Sequence, residues 1–189
     1  MVSAADGARD TSIAIEERLA TGWKVPRRAA GLLRAAIILS ADHELNVSAF
    51  TARCVASAGG SPYGAVVAGL AALEGIKHGG LTTRVESMLG AMRGERSGHE
   101  ALAARLREGA ALDGFGHPLY PDGDPRATEL LARIEDRYPR SAELRFARDV
   151  AAAAWSALEQ RPTIDFALAT LTRVVGLPPR SGLPVRWQP

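Results

Sequence analysis

The sequence predicts an all-α protein, and three observations carry that prediction. Apolar residues recur every three or four positions in most segments, which is the spacing of one face of a helix. Serine, threonine or aspartate precedes many of these segments, often with proline or glutamate close behind, as at helix N-termini. No segment alternates apolar and polar residues with the period of two that marks a half-buried strand. The chain is therefore expected to be built of helices.

The first part of the chain is predicted to contain four helices. Two of them carry apolar stripes of the kind that another helix normally covers. The fourth follows a capping serine and Pro62 and has small residues on several faces, which predicts close packing among other helices. The predicted ranges are 12–20, 26–40, 47–58 and 62–74, and the stripes comprise Ala29, Ala30, Leu33, Ala36 and Ile37, and then Val47, Phe50, Cys54 and Ala58.

The second part of the chain has clearer sequence signals for the starts of helices. Thr83 with Glu86, and Ser97 with Glu100, match the capping box, in which both side chains satisfy backbone donors at a helix start. Each pair therefore predicts the beginning of a helix. Three further helices are predicted at 125–137, 141–159 and 163–175, and the apolar stripe of the second comprises Leu144, Ala147, Ala151, Ala154, Trp155 and Leu158.

Composition and charge exclude several function classes. With 189 residues and 47% hydrophobic content, the chain can form one domain or two small ones around a core. The net charge of +2, without a basic block, gives no indication of nucleic-acid binding. Cys54 is the only cysteine, so neither a disulfide nor a cysteine metal site is expected. No apolar run or signal-peptide pattern indicates a membrane, so a cytoplasmic protein is expected.

A glycine-rich loop near the middle of the chain concentrates residues that could do chemistry. Gly114 and Gly116 flank one aromatic residue, and glycine lets a backbone adopt positive φ and approach a ligand closely. His117 follows and can exchange a proton near neutral pH. Asp124, standing before a proline, predicts a helix N-terminus with Arg126 just inside it. This combination suits an anionic ligand with a polarisable carbonyl, whereas the alternative is a well-capped loop with an exposed histidine.

Three of the four histidines stand at breaks between predicted helices: His43, His78 and His117. A metal site at His43, beside Asp42 and Glu44, is disfavoured because no two ligands have helical i, i+3 or i, i+4 spacing and no cysteine joins them. A serine hydrolase is disfavoured because the Gly-x-Ser-x-Gly elbow is missing. We therefore expect no metal.

Taken together and in order, four motifs at these breaks resemble the citrate synthase family. The resemblance covers residues 27–178. One motif alone would be a weak signal, but four in the family's order form a specific one. The motifs are Ala41–Ser48, Lys77–Gly80, Gly114–Arg126 and Thr163–Ala167.

The resemblance implies the condensation of acetyl-CoA with oxaloacetate to citrate and CoA, a step of the tricarboxylic acid cycle. It makes Asp165 the base that removes a proton beside the thioester carbonyl. His78 would stabilise the resulting enol by a hydrogen bond. His117 would polarise the keto oxygen of oxaloacetate, and His43 and Arg126 would bind that oxo acid. The loop residues near CoA would be Asp113, Gly114, Phe115 and Gly116; CoA is a substrate here, and no tightly bound cofactor is implied.

The resemblance also implies an all-α homodimer with two domains in each subunit. Residues 1–78 would form part of the large, dimer-forming domain, and residues 79–168 the small domain that closes over the substrates. Residues 169–189 would return to the large domain.

The chain departs from the family pattern in two respects. Pro121 stands where many members have a basic residue four positions after the second catalytic histidine. The chain is also shorter than usual at both ends, so we expect uncovered apolar helix faces that self-associate or need a complementing chain. A non-catalytic remnant or a subunit of a split enzyme is the alternative to an enzyme. A citryl-CoA lyase or 2-methylcitrate synthase relative remains open as well.

Overall fold

The computed structural model describes residues 12–41, 46–75, 78–94 and 97–178, which form helices joined by short loops. Within these ranges there is no strand, and Phe115 and Pro162 form an isolated antiparallel bridge. The predicted all-α class is confirmed. None of the helices described is long and apolar enough to cross a membrane. The helices are α1 (Ile15–Gly22), α2 (Ala30–Ala41, after a 3₁₀ turn at Arg27–Ala29), α3 (Val47–Ser57), α4 (Pro62–Leu73), α5 (Gly80–Met92), α6 (Gly98–Arg107), α7 (Pro125–Arg137), α8 (Ala142–Leu158) and α9 (Ile164–Val175).

Local capping signals predicted most helix starts correctly, with one error. Ser97 caps α6 as predicted, because its Oγ accepts a hydrogen bond from the backbone N–H of Glu100 at 3.2 Å. The predicted capping box at Thr83 is wrong, since α5 already begins at Gly80. The turn before α5 explains the difference. The N–H of Gly79 donates to the carbonyl of Leu73 at 2.9 Å, and that turn leads directly into the helix.

Helix α9 lies between two apolar cores and contributes to both. One side of α9 packs with α1, α2 and α7, and the other packs with α5, α6 and α8. Every residue from 164 to 172 is buried, so the start of α9 is enclosed by protein. The core residues that α9 supplies are Ile164, Ala167, Leu168 and Leu171 to the first core, and Phe166 and Ala169 to the second.

Helices α3 and α4 form a hairpin whose two arms pack mainly against each other. The expectation of uncovered apolar faces is met by the stripe on α3, whereas it is wrong for α2, where Leu33 and Ala36 are buried. The expected burial of α4 among other helices is not seen in the part of the chain described. No residue of α3 is buried, and α4 buries only Gly69 and Leu73. The apolar side chains of the two helices face outward instead because no other described helix covers them. The exposed fractions are 62% for Val47, 53% for Phe50, 85% for Tyr63 and 64% for Val67.

The predicted stripe on α8 is buried over its first turns and exposed near its end. Leu144, Ala147 and Ala154 lie in the cores, as expected. Trp155 and Leu158 do not, with 46% and 39% exposed. The face of the Trp155 ring is covered by the guanidinium of an arginine just beyond the helix, which replaces the core contact that the pattern predicted.

Candidate active site

The glycine loop is fastened to the segment that precedes α9. Gly114 and Gly116 have φ angles of +86° and +68°, which confirms that the loop uses the left-handed region that glycine tolerates. Gly114 also leaves no room for a side chain, because a Cβ there would come within 2.8 Å of Val85 Cγ2. The N–H of Thr163 donates to the Gly114 carbonyl at 2.9 Å, and the N–H of Gly116 donates to the Arg161 carbonyl at 3.0 Å. The loop is therefore held next to the start of α9.

Asp113 ties the beginning of the same loop to α5. Its two carboxylate oxygens accept hydrogen bonds from Arg84, at 2.6 Å from Nη2 and 3.2 Å from Nε. Asp113, which the sequence analysis assigned to CoA binding, thus pairs with a side chain of its own protein. The backbone of the loop, rather than this carboxylate, is the part of the segment suited to contacting a ligand.

Asp124 caps two helices at once. Its Oδ1 accepts from the Arg126 backbone N–H at 3.0 Å, so the predicted N-cap of α7 is confirmed. Its Oδ2 accepts from the backbone N–H of Ile164 at 2.9 Å, at the first residue of α9. Thr163 makes no side-chain capping bond there, so Asp124 supplies the acceptor that the N-cap residue does not. One buried carboxylate therefore joins the starts of α7 and α9.

The guanidinium of Arg126 pairs with the same carboxylate in a bidentate arrangement. Nε lies 2.9 Å from Asp124 Oδ1, and Nη2 lies 2.9 Å from Oδ2. A guanidinium carries five N–H donors, so a pair of this kind does not exhaust its capacity to bind a carboxylate ligand. The pair fixes where the guanidinium lies before any ligand arrives.

Burial and pairing act in opposite directions on both charges. Burial by itself would raise the pKa of Asp124, but the hydrogen bonds from Arg126 and from the Ile164 N–H outweigh it, and the pKa lies below its usual value. Burial would likewise lower the pKa of Arg126, but Asp124 raises it, with smaller contributions from Tyr120 and Asp165. Both groups stay charged at neutral pH.

His117 is held by a backbone donor that selects its tautomer. The N–H of Leu119 donates to His117 Nδ1 at 3.2 Å, so the neutral ring carries its proton on Nε2. Tyr120 lies between this histidine and Arg126, with its ring 5.0 Å from the imidazole and 5.1 Å from the guanidinium carbon. The sequence analysis did not single out Tyr120. The aromatic ring links the two predicted site residues and limits how each can move.

His78 lies in the turn before α5, and its ring contacts α3. Its Nε2 lies 2.9 Å from Ser48 Oγ. Ser48 Oγ also donates to Asn46 Oδ1 at 2.8 Å, because an amide oxygen can only accept and a hydroxyl has one proton to give. In the contact with His78, the ring Nε2–H is therefore the donor and Ser48 Oγ the acceptor. Ser48 thus favours the tautomer of the neutral His78 ring that carries its proton on Nε2.

Asp165 lies in the first turn of α9 and is buried, with 4% exposed. The partial positive charge of a helix N-terminus favours a carboxylate at this position. Its Oδ1 accepts a hydrogen bond of 2.5 Å from Thr82 Oγ1 on α5. The base predicted from the sequence is thus held by a side chain that the sequence analysis did not select.

The start of α9 is the point at which most of the predicted site residues meet. Asp165 lies on it, Asp124 is bonded to it, Arg126 is paired with Asp124, and the glycine loop is fastened beside it. His78 is connected through the first turn of α5. His43, assigned to oxo-acid binding, lies outside the described residues. Ser48 and Tyr120 were recoverable from the sequence because each falls within one of the four family motifs, but Thr82 had no local signal.

Comparison with known proteins identifies relatives of one kind. The family profile described as "Citrate synthase, C-terminal domain" matches residues 8–186. Citrate synthase 2 of Bacillus subtilis is 32% identical over 145 residues, covering 75% of this chain and 39% of that protein. The 2-methylcitrate synthase of Shewanella oneidensis is 28% identical over 152 residues, covering 79% and 40%. The chain thus spans about two-fifths of the length of these relatives.

Solved structures give the same picture. Citrate synthase from Thermotoga maritima superimposes with a TM-score of 0.79 at 26% identity, covering 94% of this chain and 50% of that one. Citryl-CoA lyase from Hydrogenobacter thermophilus superimposes with a TM-score of 0.82 at 25% identity, covering 93% and 71%. The helical architecture described above is that of these proteins.

Proposed function

This chain belongs to the citrate synthase family, and from that premise we propose that it provides the catalytic groups for condensing acetyl-CoA with oxaloacetate, giving citrate and CoA. The observation that carries the proposal is the meeting of Asp165, Arg126 and the glycine loop at the start of α9. Each of these features serves a different part of that reaction. As an acyltransferase, the chain would act in the assembly that completes its site.

The first step is removal of a proton from the methyl group of acetyl-CoA. Asp165 is the proposed base, and its carboxylate is buried and accepts a hydrogen bond from Thr82, so its orientation is restricted before substrate binds. His78 is the proposed donor to the thioester oxygen, where negative charge develops as the proton leaves.

The second step joins the acetyl-CoA enol to the keto carbon of oxaloacetate. The Nε2–H of His117 is the proposed donor to the keto oxygen, because the Leu119 N–H already occupies Nδ1. As the carbon–carbon bond forms, the keto oxygen takes this proton and becomes the hydroxyl of the citryl thioester. Arg126 would bind a carboxylate of oxaloacetate, and His43 would contact the same molecule. Water then hydrolyses the thioester to release CoA.

The glycine loop would contact CoA through its backbone. Gly114 and Gly116 carry no side chains, the Phe115 ring between them is buried, and the hydrogen bonds to residues 161 and 163 hold the stretch in place. We infer no tightly bound cofactor, since CoA enters and leaves as substrate and product. We also propose that the reaction uses no metal. The boundaries at residues 78 and 168 remain our proposal for a division into large and small domains.

The exposed faces of α3 and α4 support a further part of the proposal, which is a homodimer or a complementing chain. We define the hairpin surface as Val47, Phe50, Tyr63, Val66 and Val67. A soluble protein rarely leaves a contiguous group of large apolar side chains in water unless another surface covers them. Self-association through this surface would also place Ser48, and hence His78, beside the interface.

The experiment measures free thiol after acetyl-CoA and oxaloacetate are mixed with the chain. The expected result is thiol release well above that of a protein-free control, with citrate as the second product. A folded, associated sample that releases no thiol contradicts the proposal and favours a non-catalytic subunit. Replacing acetyl-CoA by propionyl-CoA in the same assay distinguishes a 2-methylcitrate synthase.

A lyase acting on citryl-CoA is the second candidate. The chain superimposes on the Hydrogenobacter thermophilus citryl-CoA lyase with a TM-score of 0.82, against 0.79 for the Thermotoga maritima synthase, so its fold suits a lyase as well as a synthase. The same groups would run carbon–carbon bond formation in reverse and release acetyl-CoA and oxaloacetate. Supplying citryl-CoA tests it: a lyase yields oxaloacetate, whereas a synthase yields free CoA and citrate.

A further inference from the structure

Thr82 stands out among the buried threonines of this structure by where its hydroxyl proton goes. Thr170 and Thr172 on α9 donate to carbonyls of their own helix, at 2.8 Å from the Phe166 oxygen and 3.1 Å from the Leu168 oxygen. This back-bonding is the usual outcome for threonine in a helix. Thr82 instead donates across to Asp165 on another helix. The hydroxyl of Thr82 therefore links two helices, α5 and α9.

In the hydrogen bond between Thr82 and Asp165, only one of the two side chains can be the donor. Ionised Asp165 can only accept, so the Thr82 hydroxyl must be the donor. The residues are 1% and 4% exposed, so bulk water has little access to either side chain. Hydrogen bonds to a charged acceptor are short and roughly twice as strong as neutral ones, which agrees with the 2.5 Å separation.

We propose that Thr82 is a positioning residue that holds the carboxylate of Asp165 in one orientation relative to the turn bearing His78. The proposal rests on the proposed function, in which Asp165 removes the proton and His78 stabilises the enol. By donating to Oδ1, the hydroxyl restricts rotation of the carboxylate and therefore the directions that Oδ2 can take. A base whose direction is fixed loses less orientational freedom on reaching the transition state.

The placement of Thr82 on α5 gives this bond a second consequence. His78 lies in the turn that starts α5, and the N–H of Leu81 donates to its carbonyl at 3.1 Å. Thr82 follows in the first turn of the same helix. One short piece of backbone thus carries the proposed enol donor and the residue that orients the proposed base. A shift of α5 would move His78 and Thr82 together and leave the distance between these two residues unchanged.

The kinetic test compares three variants of the full chain in its active assembly. Thr82→Val keeps the shape of the side chain and removes the hydroxyl, and it should lower kcat by about 10- to 100-fold with little change in the KM for oxaloacetate. Thr82→Ser keeps the hydroxyl and should recover most of the loss. Thr170→Val is the matched control, because it removes a buried hydroxyl that bonds only its own helix. Equal kcat values for Thr82→Val and Thr170→Val overturn the proposal.

A stability measurement separates this inference from the proposed function. Thr82→Val is made in the natural chain and in an Asp165→Ala background, and the urea midpoint is measured for all four proteins. The hydroxyl should matter more when Asp165 is present, so Thr82→Val should lower the midpoint further in the natural background. Equal shifts overturn the inference whatever the activity. Unequal shifts in a chain that releases no thiol support the orientation of Asp165 and contradict the proposed reaction.

Discussion

Helix α9 and the α3–α4 hairpin are both rich in apolar residues, yet the protein treats them in opposite ways. Residues 164–172 of α9 are all buried, whereas α3 buries none of its residues. The side chains that the two regions present also differ. The buried acids Asp124 and Asp165 have hydrogen-bond partners on other elements, whereas the hairpin presents the large rings of Phe50 and Tyr63 to solvent.

An apolar helix face needs to be covered by other parts of a protein, but its composition does not identify the element that covers it. Helix α9 receives its cover from two cores within the described chain. Within the described ranges, the hairpin receives almost no cover beyond the contact between its own arms. The buried region can therefore hold acids in fixed positions, where low polarity strengthens hydrogen bonds, and the hairpin is suited to contact another chain.

The largest expected effect removes the charge of the base in the buried region. Asp165→Asn should lower the rate of thiol release by about 10²- to 10⁴-fold, because an amide cannot accept the proton. Asp136→Asn, an exposed change on α7, is the control and should leave the rate near that of the natural chain. Thiol release that survives Asp165→Asn would mean that the chemistry lies elsewhere and that the comparison assigns it to the wrong region.

The second prediction concerns stability in the same region. Asp124→Asn leaves the largely buried Arg126 charge without its partner and should destabilise the fold by about 3–5 kcal/mol. Glu129→Gln, which breaks the exposed pair between Glu129 and Arg133, should cost less than about 1 kcal/mol. Urea unfolding measures both. Similar losses in the two variants would show that burial does not distinguish these ion pairs.

These pairs also show how much the sequence could reveal. The N-cap role of Asp124, the positive φ of Gly114 and the cap at Ser97 were predictable, because each depends on residues within a few positions. The bond from Thr82 to Asp165 joins residues 83 positions apart, and that from Ile164 to Asp124 joins residues 40 apart. No local spacing encodes such contacts, since the packing of helices creates them.

Exposure of the hairpin was predicted in part. The spacing of Val47 and Phe50 correctly predicted one apolar face on a helix, and the family resemblance predicted that this face lacks cover. Spacing alone carried no information about which element covers a face, and the stripe on α2, which was expected to be uncovered as well, is buried. The site shows the same limit: the family motifs named Asp165 and Arg126, and the contacts of the supporting residues Thr82 and Tyr120 emerged only from the fold.

The third prediction uses pH to weaken the buried region. Burial alone would raise the pKa values of Asp124 and Glu143. Hydrogen bonds from Arg126 and the Ile164 N–H outweigh burial and lower the pKa of Asp124. Hydrogen bonds from Arg93 and Arg173 do the same for the pKa of Glu143. Groups with depressed folded pKa values stabilise the fold above their unfolded values, about 3.9 for aspartate and 4.3 for glutamate. That stabilisation is lost as pH falls through the lowered folded values.

Urea midpoints at pH 7, 5 and 3 measure this dependence. Stability due to these two acids should be constant from pH 7 to pH 5 and should fall by pH 3. Asp124→Asn should show a smaller fall than the natural chain, because one of the two titrating groups has been removed. An equal fall in both proteins would assign the acid sensitivity to other carboxylates.

The smallest expected effect on stability lies on the hairpin surface, and it is the sharpest test of what that surface does. Val67 is 64% exposed, so Val67→Glu should change the unfolding free energy of the subunit by no more than about 0.5 kcal/mol. If a second copy covers the surface, however, the new carboxylate becomes a buried and unpaired charge at the interface, which is costly. Light scattering should then show dissociation. Leu106→Glu, an exposed apolar position on α6, is the control and should leave association unchanged. Association that survives Val67→Glu would mean that copies meet through another surface, and the contrast between the buried α9 and the exposed hairpin would then require a different covering partner.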